Sequence, residues 1–218
     1  MSIKHVIFDL DGVLLSSENF YYEDCRRLFQ EHGFDLTAEE YAVTSGRHPG
    51  ILEEFIHRKI PDIDVYAFHR KTGEKLRKAY DEHAIPPREG VYELLDFLDQ
   101  REIAFSIGSS NDRENVIAAL ECLGITDRFS EIVTGNEVPK NKPAPDVFLE
   151  CARRAGVAPE NCLVIEDSAG GVEAAVSAGM RVIIIPDIAV PDEEHQKKAE
   201  AVVRKLTEIP EIMMNLME

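Results

Sequence analysis

Between residues 91 and 185 the chain alternates four times between a stretch of helical period and a short run of branched apolar residues. No other feature constrains the fold as tightly. A strand that leads into a helix and then into another strand re-enters its sheet in the same direction, so such a rhythm implies a parallel sheet with helices on its faces. The strand-like runs are 103–108, 131–134, 162–166 and 181–185, and an earlier one at 6–9 makes a fifth. The helical stretches are 91–100, with apolar residues at 91, 94, 95 and 98, followed by 116–123, 147–155 and 172–178. Three of them run into a glycine followed by an apolar residue, Gly124-Ile125, Gly156-Val157 and Gly179-Met180. That is the sequence form of a left-handed helix cap. The expected fold is a doubly wound α/β domain.

The interval from residue 18 to 83 breaks the rhythm, with helical stretches and no strand-like run. Tyr21, Cys25, Leu28, Phe29 and His32 form one apolar stripe, while Leu52, Phe55 and Ile56 belong to another. Pro86-Pro87 marks the return to the sheet-forming sequence. The expected organisation is therefore a core of residues 1–15 and 85–218, with residues 16–84 inserted as an α-helical cap placed to close over the strand ends. Residues 209–217, with methionines at helical spacing, read as a docked terminal helix.

A chain of 218 residues can bury a full core, and 41 acidic against 24 basic side chains give it a net charge of -17. Such a polyanion repels nucleic acid and anionic lipid, so neither is an expected partner. The acidic residues are scattered, which suits solubility and a monomer or weak homodimer. Cys25, Cys122, Cys151 and Cys162 form no CxxC pair and lack histidines at zinc-binding spacing. With no leader peptide recognised and no apolar run near the roughly 20 residues that span a bilayer, the expected setting is the reducing cytoplasm.

Negative charge is concentrated where this fold binds ligands, outside the carboxyl ends of the strands. Asp9 and Asp11 close the first run, in His5-Val6-Ile7-Phe8-Asp9-Leu10-Asp11-Gly12. Side chains two apart on a strand share a face, so the two carboxylates repel unless a proton or cation neutralises them. Ser109-Ser110-Asn111 follows the run 103–108, Glu166-Asp167-Ser168 follows 162–165, and Lys142 lies in Asn141-Lys142-Pro143-Ala144-Pro145 ahead of a helix. Each segment alone is an ordinary turn or helix entry. Together they supply what phosphoryl transfer requires. Asp9 is the candidate nucleophile and Asp11 the candidate acid and base. Mg2+ is expected on Asp9, the Asp11 backbone carbonyl and Asp167. Ser109, the Ser110 amide and Lys142 are suited to the phosphoryl oxygens.

In their order, Asp9-Leu10-Asp11-Gly12-Val13-Leu14, Ser109-Ser110-Asn111, Lys142-Pro143-Ala144-Pro145 and Glu166-Asp167-Ser168-Ala169-Gly170-Gly171 resemble the four motifs of the haloacid dehalogenase-like superfamily. The resemblance extends over essentially the whole chain. It implies a Rossmann-like core with an inserted helical cap, as in the β-phosphoglucomutase-like and phosphatase branches, with Asp9 as nucleophile and Asp11 as acid/base. It also places Glu166 beside Asp167 in service of the metal. Paired aspartates favour phosphoryl transfer over dehalogenation. A response-regulator receiver gathers similar groups but has no place for the helical insertion.

Two departures weigh against the mutase. The mutases carry a histidine ten residues after the acid/base aspartate, where this chain has Tyr21, and their cap loop reads Gly-Val-Ser-Arg against Gly46-Arg47-His48-Pro49. Asp112 would also repel a second phosphate. The leading expectation is a Mg2+-dependent phosphatase of a small phosphorylated metabolite such as a sugar phosphate. A sugar-phosphate mutase comes second and a non-enzymatic metal- or phosphate-binding regulator third. Gly46, Arg47 and His48 form the expected substrate-reading loop, with an interhelical turn as the plain alternative. Ser110 and Asn111 join them as expected substrate contacts.

Overall fold

The computed structural model describes residues 2–42, 44 and 49–217, with the side chains of 42 and 49–51 excepted. Six strands, β1 (His5–Phe8), β2 (Ala104–Gly108), β3 (Glu131–Val133), β4 (Cys162–Glu166), β5 (Arg181–Ile184) and β6 (Ala201–Val202), form one sheet in the order β3-β2-β1-β4-β5-β6. Every pairing is parallel, and β1 is central, with Val6 beside Phe105 on one neighbour and Leu163 on the other. The strand order reverses between β1 and β4, which opens a crevice at their carboxyl ends. The first five strands match the sequence expectation to within a residue or two. β6, a two-residue edge strand, has too short a run to register as a period.

Helices α1 (Glu18–Glu31), α2 (Ala38–Ala42), α3 (Pro49–Lys59) and α4 (Val65–Asp81) lie between β1 and β2, together with α5 (Val91–Gln100). Further along come α6 (Arg113–Leu123), α7 (Asp146–Ala155), α8 (Ala169–Ser177), α9 (Glu193–Gln196) and α10 (Ile209–Met217). Alternation along the strands sorts the core into two layers. Val6, Phe8, Phe105, Ile107, Leu163, Ile165 and Ile183 pack with Leu94, Leu98, Val116, Leu120, Ile209 and Met213 of α5, α6 and α10. Ile7, Val164, Val182 and Ile184 point the other way, onto Val147, Phe148, Cys151, Val172 and Ala175 of α7 and α8. With both faces covered, the strands read as continuous apolar runs. The expected glycine caps are present, with φ of 66° at Gly124, 68° at Gly156 and 73° at Gly179. α8 starts three residues earlier than its apolar period suggests, because Ser168 caps it by accepting from the Gly171 amide.

The two stripes foreseen between residues 18 and 83 meet. Cys25, Leu28 and Phe29 of α1 pack with Ile56, Ile60 and Val65 in a cluster of their own, and the Phe29 and Phe55 rings stack at 5.5 Å. α4 faces two ways, since Leu76, Ala79 and Tyr80 join the main core. At the base of this helical segment its two connections lie side by side. The Ser16 amide donates to the Pro86 carbonyl at 3.1 Å, the Arg88 amide donates to Leu14 at 2.9 Å, and Leu15 bridges Pro87. Among the described residues no helix is long and apolar enough to cross a membrane.

Under the sheet's centre, the Phe105 ring meets Phe8 edge-on at 6.0 Å and Phe129 at 5.1 Å. Phe105→Ala removes this hub and is expected to destabilise the chain by about 3–5 kcal/mol, read as a lower urea midpoint at unchanged slope.

Candidate active site

The crevice at the reversal of strand order is where the four motif segments meet. Asp9 follows β1 directly and its amide donates to the Ile165 carbonyl, so the end of β1 is pinned to β4. Gly12 then turns the chain at φ +73°, and a Cβ there would lie 2.2 Å from Asp167 Oδ2. Both the backbone angle and the close approach of Asp167 exclude a side chain at this position. Ser109, buried at the end of β2, donates its amide to Val133, and its hydroxyl oxygen accepts from the Asn111 amide at 3.1 Å.

Lys142 is only 9% exposed. Its Nζ donates to Asp9 Oδ1 and, at 2.8 Å, to Glu166 Oε1, and it sits 4.6 Å from the centre of the Phe148 ring. Glu166 uses its other oxygen to accept from the Ser168 amide at 2.7 Å and the Ser168 hydroxyl at 2.9 Å. Both of its oxygens are thus occupied by protein donors. Gly171 makes room for it, since a Cβ there would fall 1.8 Å from Glu166 Oε1. Asp11 accepts from the Ser17 hydroxyl at 2.7 Å and from Asn111 Nδ2 at 3.1 Å. That same Nδ2 also reaches the Tyr21 hydroxyl at 3.0 Å.

All eight residues expected from the core motifs, Asp9, Asp11, Ser109, Ser110, Asn111, Lys142, Glu166 and Asp167, line one cavity of about 140 Å³. The remaining expected contacts, Gly46, Arg47 and His48, lie outside the described residues. Glu18 and Ser168 also line the cavity and were not foreseen, nor was the contact of Ser17 with Asp11. Ser168 could have been found from its place as a cap residue after Glu166-Asp167. Ser17 and Glu18 carry no comparable local signal, because a serine and a glutamate ahead of a helix are ordinary.

Charge balance follows from the geometry. Five buried or half-buried carboxyl groups, those of Asp9, Asp11, Glu18, Glu166 and Asp167, share the cavity with one lysine. Burial pushes the Asp9 carboxyl up to about 8, against the pull of Lys142 and with Glu166 and Asp11 adding to the rise. Asp167 is raised well above the usual carboxylate range by burial and by Glu166. Asp11 is raised by burial, with Ser17 and Asn111 working against the rise. Glu166 is the exception. Burial opposes its charge, but Lys142 and Ser168 hold it below its ordinary value. Lys142 stays charged despite burial because Asp9 and Glu166 face it. Oxygens of Asp9, Glu166 and Asp167 lie within 4.8 Å of one another. An all-oxygen, carboxylate-rich set with surplus negative charge fits a hard divalent cation.

Residues 6–185 match the family model of the haloacid dehalogenase-like hydrolases. A phosphorylated carbohydrates phosphatase of Thermotoga maritima is 31% identical over 183 residues, spanning 83% of this chain and 84% of that protein. A fructose-1-phosphate phosphatase of Escherichia coli is 30% identical over 179 residues, spanning 82% of this chain and 94% of that protein. Among solved structures, a β-phosphoglucomutase from Clostridium difficile superposes with a TM-score of 0.79 at 26% identity, covering 98% of both chains.

A raised carboxyl group binds its proton more tightly in the folded chain than in the unfolded one, so its contribution to stability is lost as pH climbs toward the folded value. In the presence of a chelator, the melting temperature is therefore expected to fall between about pH 5 and 8 on account of Asp9, whose folded value is about 8. Asp9→Asn is expected to flatten that slope, and millimolar Mg2+ to raise the melting temperature most at the alkaline end. Thermal scans across the pH series read all three.

Proposed function

The chain belongs to the haloacid dehalogenase-like hydrolases, and from that premise we propose a Mg2+-dependent phosphatase that hydrolyses a small phosphorylated metabolite, a sugar phosphate, through a phospho-Asp9 intermediate. The observation that carries this reading is the convergence of Asp9, Asp11, Ser109, Lys142 and Asp167 on one cavity at the strand-order reversal. The two phosphatase relatives named above act, by their names, on phosphorylated carbohydrates and on fructose 1-phosphate.

In this reading an Asp9 oxygen attacks phosphorus and the sugar oxygen leaves with a proton from Asp11. Asp11 then takes a proton from the water that cleaves the acyl phosphate, which restores both carboxyl groups and releases inorganic phosphate. The rise that burial causes in Asp11 suits its role as the proton donor. The Ser109 hydroxyl and the Ser110 amide hydrogen-bond the phosphoryl oxygens, and Lys142 offsets their charge. Asp9, Asp167 and the Asp11 backbone carbonyl would hold Mg2+, which when bound supplies charge neutralisation for the attacking carboxylate and the phosphoryl group. Glu166, fully engaged by Lys142 and Ser168, serves the metal by orienting its neighbours.

Residues 16–84 act as a cap over this site, with Gly46, Arg47 and His48 reading the leaving group. The surplus of acidic charge disfavours nucleic acid as a partner. The free thiols suit the cytoplasm, and a monomer or weak homodimer suffices for a site built within one chain.

A mutase is the second reading, favoured by the superposition on the phosphoglucomutase. A screen of phosphorylated metabolites decides between them. Phosphate release supports hydrolysis, while interconversion of sugar phosphates without release supports the mutase. Asp9→Asn is expected to abolish turnover in a chain that still folds, and wild-type turnover would overturn the nucleophile. Asp11→Asn is expected to lower kcat by roughly 10²-fold or more while Mg2+ binding survives. In metal exchange, Mg2+ and Mn2+ should activate and Ca2+ inhibit, because Ca2+ takes more oxygens at longer distance and misplaces the nucleophile. Equal rates with Ca2+ would contradict that.

A further inference from the structure

Asn111 lines the active-site cavity, yet its side chain is committed to the protein on both sides. Its Nδ2 donates to Asp11 Oδ2 at 3.1 Å and to the Tyr21 hydroxyl at 3.0 Å. Its Oδ1 accepts from the Asp112 amide at 2.9 Å and from Asn115 Nδ2 at 2.9 Å. Asn115, on α6 and 6% exposed, in turn accepts at Oδ1 from Arg77 NH1 of α4 at 2.7 Å. α4 comes close enough to α6 here that a Cβ at Gly73 would stand in ordinary contact with Asn115 Nδ2, at 3.5 Å.

The polarity of this chain of bonds has a single consistent solution. An amide side chain can present either its oxygen or its nitrogen to a neighbour, but a guanidinium only donates. Arg77 therefore fixes Asn115 with its oxygen toward α4 and its nitrogen toward Asn111. That nitrogen, together with the Asp112 amide, fixes Asn111 with its oxygen toward α6 and its nitrogen toward Asp11. The donor character of Arg77 is passed through two amides to the carboxylate. Ser17 donates to the other Asp11 oxygen at 2.7 Å, so the carboxyl group is held from both sides.

We propose that Arg77, Asn115 and Asn111 form a positioning relay in which the inserted helix α4, seated on α6, sets the orientation of the Asp11 carboxyl group. Asn111 is then a positioning residue for Asp11 and not a reader of the sugar. The inference rests on the phosphatase reading for what Asp11 does, and on the hydrogen bonds alone for what holds it. If the relay is lost, Asp11 remains but samples orientations from which it does not reach the leaving oxygen, and the transition state suffers more than substrate binding.

The test compares Asn115→Asp, which still accepts from Arg77 but cannot donate to Asn111, with Arg77→Met, which cannot donate, and Arg77→Lys, which can. On an alkyl sugar phosphate, whose leaving oxygen needs a proton, Asn115→Asp and Arg77→Met should lower both the single-turnover release of the alcohol and kcat about tenfold or more with KM changed less than about twofold. In single-turnover release of p-nitrophenol from p-nitrophenyl phosphate, a leaving group that departs unprotonated before Asp11 activates water, the same variants should stay within about threefold of wild type. Arg77→Lys should recover much of the loss. An equal fall in single-turnover leaving-group release from both substrates, or none from either, would overturn the relay.

A wild-type protein that releases phosphate from no ester would instead defeat the phosphatase reading. The relay is then judged by urea unfolding of Arg77→Met, Asp11→Asn and the double variant. Coupling by at least about threefold in the unfolding constant supports it, and additivity refutes it.

Discussion

One buried ammonium group holds the site together. Lys142 bonds both Asp9 and Glu166, carboxylates that arrive from the two strands on either side of the strand-order reversal. Removing a cation from water is costly unless its charges are answered in place, and here the answering groups come from β1 and β4. The demands then spread outward. Glu166 needs Ser168 for its second oxygen and a glycine at 171 for its bulk, and Asp167 needs a glycine at 12. Several residues with no chemistry of their own are therefore constrained by where one lysine must sit.

The same crowding explains why a chain already carrying a net charge of -17 concentrates carboxyl groups in a crevice. Without a counterion the cluster settles its charge unequally, with Glu166 ionised beside Lys142, Asp9 held up by burial and by Glu166 and Asp11, and Asp167 held up by burial and by Glu166, Glu18 and Asp9. A carboxyl group that prefers its proton is a poor nucleophile. The arrangement therefore fits a divalent cation, whose charge would favour the ionised form of Asp9 and Asp167.

Sequence made the sheet legible because its signal is local. A strand buried on both faces is an unbroken apolar run, and a left-handed cap nearly requires glycine. The core motifs were legible for a related reason, since three of the four sit at strand ends, where polar and charged groups interrupt an apolar run. What escaped depended on contacts made far along the chain. Ser17 meets Asp11 only because the chain turns through Gly12, and Asn115 meets Arg77 only because α4 packs on α6. His5 sits wholly inside the core, kept neutral by burial and bonded to Ser106 at 2.9 Å, a pairing between residues a hundred positions apart that no periodicity reveals. β6 was missed because two residues cannot display an alternation.

The paired connections at the base of the helical segment have a consequence for how such chains diversify. Because backbone bonds join Ser16 to Pro86 and Leu14 to Arg88, the sheet encounters the whole of the intervening sequence as a single loop with its mouth already closed. The entropy of closing a loop grows only as the logarithm of its length, about 0.6 kcal/mol for each doubling. The sheet's own stability is thus weakly coupled to how many residues leave and return through that mouth. A longer, shorter or unrelated excursion can be grafted there without re-registering a strand, provided it returns groups that take over the contacts Ser17 and Arg77 make with the edge beneath it.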